Sequence, residues 1–215
     1  MGLRLFGILV LSALSATITL SSARADDGSW EVRLRGVYLD PANRSDSINA
    51  LAVPQNAIHI NSKGLPDLDI EYFFTPHWST ELVVTYPQTQ EVDALGIHVG
   101  TFKHLPPVLT LKYDFLPDKA FQPYIGAGVN FTLIYDVNLS VLGIPLELNT
   151  TSWGPALQAG FDYKIRDHWY LNADVKWVEI TSNLYARLPS LPAQTRVSSL
   201  QLDPWLFGIG VGYRF

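Results

Sequence analysis

The last eleven residues of the chain alternate strictly between two kinds of side chain. Every odd position from 205 to 215 is apolar or aromatic, and every even position from 208 onward is glycine or arginine. A repeat of two residues places each kind of side chain on its own face of a β-strand. A strand with one fully apolar face at the very end of a chain needs an apolar environment beside it, and a lipid bilayer provides one. The residues predicted to face lipid are Trp205, Phe207, Ile209, Val211, Tyr213 and Phe215.

The N-terminus has the features of an export signal. Arg4 precedes an apolar run over residues 5–20, and Ala23-Arg24-Ala25 provides small residues at the cleavage positions. We predict a signal peptide over residues 1–25 and one domain, an outer-membrane β-barrel, over residues 26–215. A single membrane anchor is the alternative, but the run is short for a bilayer span and contains Thr17 and Thr19.

The composition of residues 26–215 excludes several classes of protein. There are 13 Lys and Arg against 20 Asp and Glu, without a basic run, so we expect no nucleic-acid partner. The chain has no cysteine, which excludes disulfides and thiolate chemistry. No apolar run after residue 25 is long enough for a transmembrane helix. Apolar residues spread over alternate positions are instead typical of a membrane barrel.

Seven further segments show the same alternation as the C-terminal one. They are residues 30–38, 68–74, 78–86, 105–115, 125–133, 153–163 and 169–177. The connections between the eight segments alternate between short and long, and the long ones are residues 40–67, 87–100, 135–150 and 179–202. The pattern predicts an all-β fold, an eight-stranded antiparallel transmembrane β-barrel with long extracellular loops and short periplasmic turns. A soluble lipocalin-like barrel with its apolar face inside is the alternative.

The opposite face of the predicted strands carries charges of both signs. An eight-stranded barrel is only wide enough for its own side chains, so charges inside it must pair with one another. We predict an ion-paired plug in the lumen, which rules out a water-filled pore along the full length. The residues assigned to this plug are Glu31, Arg33, Arg35, Glu71, Glu81, Lys112, Asp114, Asp174, Lys176 and Arg214, and Asp69 and Asp162 are also predicted to point inward.

The long loops are unusually apolar for segments that face water. Apolar residues in water gather into a pocket or patch, and large patches commonly mark binding surfaces. We predict an apolar funnel at the barrel mouth, although the same residues could form a satellite core that orders the loops. The funnel is assigned to Leu51, Val53, Leu95, Ile97, Leu139, Leu142, Ile144, Leu184 and Leu188.

Two adjacent prolines, Pro106 and Pro107, stand at the start of the fourth predicted strand. Proline has no N–H to donate to a β-ladder, so the pair predicts a break in strand pairing. The break could serve as a lateral opening in the barrel wall, or it could be an irregular strand end at the rim.

Catalysis and metal binding have no support in the sequence. The five histidines lie at 59, 77, 98, 104 and 168, and none has the spacing of a nucleophile motif. No carboxylate pattern accompanies them as a metal site would require. We therefore predict no enzyme activity, no cofactor and no metal.

Several stretches resemble the OmpW/AlkL family of small outer-membrane barrels. They are residues 33–41, 104–115, 122–132, 153–163, 169–175 and 202–215. Of these, the Leu-Pro-Pro motif at 105–107 and the run from Pro123 to Thr132 are the most specific. The resemblance implies an eight-stranded barrel with a hydrophobic passage in its extracellular half. It also implies that small apolar molecules enter there and leave sideways into the bilayer.

Together these features predict a passive channel for small hydrophobic molecules with lateral release, in the outer membrane of a Gram-negative bacterium. The alternative is a structural, stress-related or receptor-type barrel without transport. The predicted partners are membrane lipids, small hydrophobic solutes and, during biogenesis, the outer-membrane assembly machinery that reads the terminal strand.

Overall fold

The computed structural model describes residues 29–48, 53–141, 143–186 and 195–215. The predicted signal peptide lies outside the described residues and stays a prediction. The described part forms one antiparallel sheet of fifteen strands. They are β1 Trp30–Asp40, β2 Arg44–Ser45, β3 Ile58–Ile60, β4 Lys63–Phe73, β5 Trp78–Thr85, β6 Gln88–Ala94, β7 Ile97–Leu105, β8 Val108–Asp114, β9 Phe121–Val141, β10 Ile144–Leu148, β11 Thr151–Arg166, β12 Trp169–Val178, β13 Thr181–Ala186, β14 Thr195–Gln201 and β15 Trp205–Arg214.

Eight of these strands close into a barrel. Their order around the ring is β1, β4, β5, β8, β9, β11, β12 and β15. The ring closes where β15 pairs with β1, in register from Glu31 opposite Arg214 to Asp40 opposite Trp205. Closure gives hydrogen-bond partners to the backbone groups that would otherwise lie at two open sheet edges. The hydrocarbon of a bilayer offers no such partners, so these groups have to pair within the protein. The predicted eight-stranded barrel is confirmed.

The outer surface of the barrel is apolar, with aromatic residues at both ends. Toward the short turns the exposed rings are Phe74, Trp78, Phe115, Phe121, Tyr163, Trp169, Tyr213 and Phe215; toward the long connections they are Tyr38, Tyr86, Trp153 and Trp205. Aliphatic side chains such as Leu34, Leu109 and Ile125 lie exposed between these two rims. Two aromatic rims around an aliphatic belt are the surface that a bilayer requires.

The soluble lipocalin-like alternative is wrong, because the apolar face points outward and the charged face inward. In the last strand the predicted lipid-facing residues are 39–61% exposed. Arg33 and Glu81, on the opposite face of their strands, are fully buried. No helix in the described ranges is long and apolar enough to cross a membrane.

The long connections are strands rather than irregular loops. They extend the same sheet beyond the barrel rim, in the order β3, β6, β7, β9, β10, β13, β14 and β2. We call this part of the sheet the collar. Strand β9 has 21 residues and belongs to both the barrel and the collar. It extends past the barrel rim, where its backbone groups are available to pair with collar strands.

Two asparagines join the ends of the collar. Asn43 accepts a hydrogen bond from the Ile60 backbone N–H at 2.8 Å and donates to the Ile60 carbonyl at 3.2 Å. Asn56 accepts from the Ser45 N–H at 3.1 Å. Both asparagines have positive φ, at 54° and 58°, a conformation that asparagine tolerates better than most residues. The collar is therefore a nearly closed ring standing on the barrel.

One apolar core runs from the collar into the upper barrel. Its collar members include Ile48, Val53, Ile58, Ile60, Val92, Phe102, Leu139, Leu146, Leu184 and Leu200, and its barrel members include Val83, Val108, Ala156 and Val178. Because this core is continuous from collar to barrel, the candidate site lies where the two meet.

Candidate functional site

The inward positions of the barrel change from charged, or in β8 polar, to apolar at one level. On strands that run toward the collar, the step is from Arg35 to Val37, from Glu81 to Val83 and from Lys176 to Val178; on strands that run away from it, Leu65 precedes Asp67 and Val108 precedes Thr110. We call the charged region below this level the floor. The apolar region above it, lined by Val37, Leu39, Leu65, Val83, Val108, Val178, Ile180 and Leu206, is the chamber.

Arg33 is the centre of the lower floor. Its guanidinium pairs with Glu31 at 2.8 Å, with Glu81 at 3.2 Å and with Asp162 at 3.0 Å, and it also contacts Glu71. All five side chains are fully buried. A guanidinium has five N–H donors in a fixed plane, so one arginine can bind several carboxylates at once.

Two lysines complete the pairing of the same carboxylates. The Lys112 ammonium lies 2.8 Å from Glu71 and 3.7 Å from the centre of the Tyr124 ring. Lys176 pairs with Glu81 at 2.8 Å. Lys176, which also lines the cavity, is thus an ion-paired member of the floor.

Arg35 organises the upper floor. It pairs with Asp67 and Asp69 at 2.9 Å and with Asp174 at 3.0 Å. Arg214 pairs with Glu31 at 2.7 Å near the turn end. Because removal of one member leaves its partners as buried unpaired charges, the floor is stabilised as a unit.

The structure brings nine of the ten assigned plug residues into ion pairs. The tenth, Asp114, is buried, but its carboxylate has no hydrogen-bond partner among the described residues. Sequence reasoning placed Asp67 at the end of a loop and missed its pairing with Arg35. The available signal was its spacing of two residues from Asp69, which places both on the inward face.

The chamber contains a cavity of about 40 Å³. Arg35, Asp67, Asp174 and Lys176 form its base, and its walls are almost entirely apolar. None of its eight apolar residues is among those assigned to the funnel from the sequence. Val37, Val83 and Val178 could have been found by continuing each strand two residues past its last inward charge.

The chamber wall has a gap in its β-ladder beside the two prolines. Pairing of β5 with β8 ends at Val83 opposite Val108, and pairing of β6 with β7 begins at Gln88 opposite His104. Between these points, residues 84–87 and 105–107, all of them described, form no ladder pair with each other. On the other side the ladder continues, since the Phe131 N–H donates to the Pro107 carbonyl at 3.1 Å. The predicted break in pairing is therefore confined to the β5–β6 side.

The gap lies at the level of the aromatic rim next to the collar. Phe131, bonded to Pro107, is opposite Trp153 in the ladder, with their rings 4.4 Å apart. Tyr86, inside the gap, is exposed on the outer surface. Thr85, Gln88, His104 and Pro106 all line the cavity. The gap and the cavity are thus adjacent, and both lie near the membrane interface.

The predicted funnel residues fall into three groups. Val53, Leu139 and Leu184 are buried in the collar core, and Ile144 packs against it. Leu95 and Ile97 are 57% and 67% exposed at the tip of the β6–β7 hairpin. Leu51, Leu142 and Leu188 lie outside the described residues.

The histidines do not come together. His77 and His168 donate hydrogen bonds from Nδ1 to the backbone carbonyls of Asp114 and Arg214 near the short turns. His98 pairs with Asp93 on the exposed hairpin. His104 is different, because it is fully buried and lines the cavity.

A closed eight-stranded barrel with an apolar belt, two aromatic rims and an ion-paired interior is an outer-membrane β-barrel. Comparison with known proteins gives its family. The OmpW family model matches residues 26–215, and the chain belongs to that family. It is a protein of the outer membrane of a Gram-negative bacterium, so the short turns face the periplasm and the collar faces outward.

Two relatives and one solved structure illustrate the similarity. The uncharacterized outer-membrane protein y4mB of Sinorhizobium fredii is 39% identical over 86% of this chain and 80% of its own length. Outer membrane protein W of Vibrio cholerae is 30% identical over 97% of both chains. The crystal structure of OprG from Pseudomonas aeruginosa superposes with a TM-score of 0.76, at 31% identity, over 88% of this chain and 96% of that one.

Proposed function

We propose that this protein is a passive conduit that admits small hydrophobic molecules through the collar and releases them sideways into the outer leaflet. The observation that carries the proposal is the change from an apolar chamber to an ion-paired floor at a single level of the lumen. A solute that reaches the chamber is held above the floor and next to the gap in the wall.

The chamber favours apolar solutes because its surface above the floor is apolar. Each methylene that leaves water contributes about 0.8 kcal/mol, so even a small hydrocarbon is attracted to such a surface. The exposed Leu95 and Ile97 at the collar tip provide apolar surface where a solute would first meet the protein.

The floor supports lateral release because it obstructs the axial path. Arg33, Glu71 and Glu81 are fully buried within the barrel, and an apolar solute cannot replace their ion pairs. The remaining route from the chamber passes the ladder gap at residues 84–87 and 105–107. At the gap the two strands are not joined by backbone hydrogen bonds. A solute that left through any other part of the wall would have to break such bonds.

The experiment restores hydrogen-bonding capacity at the gap. The double variant Pro106→Val, Pro107→Val supplies two N–H donors, which allows the β5–β8 ladder to extend and close. We expect the initial rate of N-phenyl-1-naphthylamine uptake by cells producing this variant to fall at least threefold relative to wild type at equal outer-membrane level. Fluorescence of the probe in the membrane is the measurement.

The matched control is Pro155→Val. Pro155 lies in β11, paired with Val129 and away from the gap. This variant should take up the probe at the wild-type rate. Unchanged uptake in the Pro106, Pro107 variant would contradict release at this gap. If wild-type protein itself fails to raise uptake, a structural, stress-related or receptor role replaces the conduit.

A second test addresses entry. Leu139 belongs to the collar core and Ile144 packs against it, and replacing both together with Leu142 by serine makes this segment of the chain polar. Uptake of the same probe should fall while the barrel still migrates as a folded species in a heat-modifiability gel. Equal uptake at equal expression would favour the role without transport.

A further inference from the structure

Besides Thr85 of β5, three polar side chains of the β6–β7 hairpin interrupt the apolar surroundings of the chamber. Gln88 and His104 are directly opposite each other in the ladder, and both line the cavity. Directly opposite residues have Cβ atoms about 5 Å apart, so their side chains can act on one ligand. Gln90 follows on the same face, and each of the three is no more than 1% exposed.

The hydrogen bonds of these residues leave one ring donor, on His104, and two amide oxygen acceptors, on Gln88 and Gln90, without a partner among the described residues. The Gln90 amide nitrogen lies 3.2 Å from His104 Nε2, so Nε2 accepts and the ring proton of neutral His104 is on Nδ1. Nδ1 has no partner among the described residues. Gln88 donates through Nε2 to the Tyr86 carbonyl at 2.8 Å, and its Oε1 has no partner in the described part of the chain.

The surroundings keep His104 neutral. Burial and, as the smaller cause, the positive charge of Lys63 together lower the pKa of this histidine to about 4. Strand β7 lies in the collar, outside the eight barrel strands, and carries His104 just above the chamber. A neutral imidazole with a free N–H is therefore present at physiological pH.

Gln88 and His104 are directly opposite each other in the ladder, and a buried donor and acceptor left unused there have a high cost unless a ligand or water pairs with them. A hydroxyl group fits the pair, because it can accept from the Nδ1–H and donate to Oε1. A hydrocarbon without a polar group would leave both atoms unpaired.

From this geometry we infer that the chamber selects small apolar molecules that carry one hydroxyl group, with Gln88 and His104 binding that group beside the wall gap. The inference rests on the proposed conduit and adds a substrate class to it. A solute of this class would be held at the exit by its hydroxyl while its apolar body lies against Val83, Val108 and the other chamber residues.

The test compares two single-ring probes, phenol and toluene, that differ mainly in the hydroxyl group. The cavity volume corresponds to about three waters, so the probes have to be small. Purified protein labelled with ¹⁵N-histidine is placed in phosphatidylcholine nanodiscs. Each probe is titrated at equal mole fraction in the bilayer, and the His104 resonance is assigned by its loss in His104→Gln.

We expect Nδ1 to be the protonated nitrogen and its shift to change saturably with phenol. Phenol should bind about tenfold more tightly than toluene, the difference expected for hydrogen bonds that only the hydroxyl can make. Gln88→Leu should bring the two affinities within about twofold by weakening phenol alone. Gln158→Leu is the matched control, since Gln158 is also buried with unpartnered amide atoms but does not line the cavity.

The outcomes separate this inference from the conduit itself. Equal affinities for phenol and toluene in wild type would overturn hydroxyl selection and leave the conduit intact. Absence of any saturable response to either probe would overturn both. The wild-type affinity ratio and the Nδ1 response decide the matter even if Gln88→Leu does not fold.

Discussion

At the scale of single residues, the inward glycines of β15 make the floor possible. A Cβ at Gly208 would overlap the Asp174 carboxylate, and one at Gly212 would overlap the Glu31 carboxylate. At Gly210 it would meet the Leu34 carbonyl oxygen and the Arg35 side chain. Positions 208, 210 and 212 of the last strand have no room for a side chain, because ion-paired side chains and backbone of neighbouring strands occupy that space.

Alanine at two glycines gives a matched prediction. In Gly210→Ala the new methyl overlaps backbone, so we expect a loss of about 1–3 kcal/mol of unfolding free energy from overpacking. In Gly36→Ala, on the outward face with nothing within 4 Å of the added Cβ, stability should be unchanged or slightly higher. Urea unfolding in lipid vesicles, followed by tryptophan fluorescence, measures both. Equal stabilities would show that the floor can shift to accept the methyl.

At the scale of elements, β15 both closes the barrel and ends the chain. The Phe215 N–H donates to the Trp30 carbonyl at 2.8 Å, and the Trp30 N–H donates to the Phe215 carbonyl at 3.2 Å. The final residue therefore takes part in the seam. Phe215 also belongs to the aromatic rim beside the short turns and is 51% exposed there.

The position of Phe215 predicts an effect on assembly that differs from its effect on folding. Phe215→Asp should lower the outer-membrane level several-fold, because the terminal strand is what we expect the assembly machinery to read. Phe74→Asp introduces the same charge in the same rim, where Phe74 is 55% exposed, but away from the terminal strand. Quantitative immunoblotting of membrane fractions compares the two. Equal reductions would mean that the charge in the rim, and not the terminal strand, matters.

At the scale of the whole molecule, the barrel, the floor and the collar each have a different role. The barrel crosses the membrane, the collar extends its apolar core outward, and the floor separates that core from the periplasm. Thirteen charged side chains from seven of the eight barrel strands contribute to the floor. Such a distributed network ties together strands that are far apart in sequence, such as Glu81 and Lys176.

This division predicts that the intact protein does not conduct ions along its axis. In planar bilayers wild-type protein should give no lasting conductance steps. The triple variant Arg33→Ala, Glu81→Ala, Lys112→Ala removes the centre of the floor and should produce them. The control removes the exposed collar pair Lys103 and Asp136, 3.0 Å apart, and should remain silent. Steady conductance of the wild type would contradict a closed floor.

The period of two residues in the sequence was sufficient to predict the eight strands, their lipid-facing residues and the inward charges. Bilayer physics explains this success, since the lipid-facing positions of a spanning strand must be apolar and its charged positions must face inward. Nine of the ten assigned plug residues form ion pairs for the same reason. Local alternation, however, says nothing of which carboxylate reaches which cation.

Tertiary structure alone decided the collar, the chamber and the wall gap. The long connections became strands because β9 offers its edges beyond the rim, which is a long-range pairing without a local signal. The gap arises because residues 84–87 face residues 105–107, four against three, between the β5–β8 ladder and the β6–β7 ladder. Only the register of these two ladders reveals the mismatch. Gln88 and His104 are sixteen residues apart in the chain and meet only through that register. Sequence determined which face of each strand lies in lipid, because that depends on neighbours two residues away; the site depends on contacts between distant strands, which only the closed barrel creates.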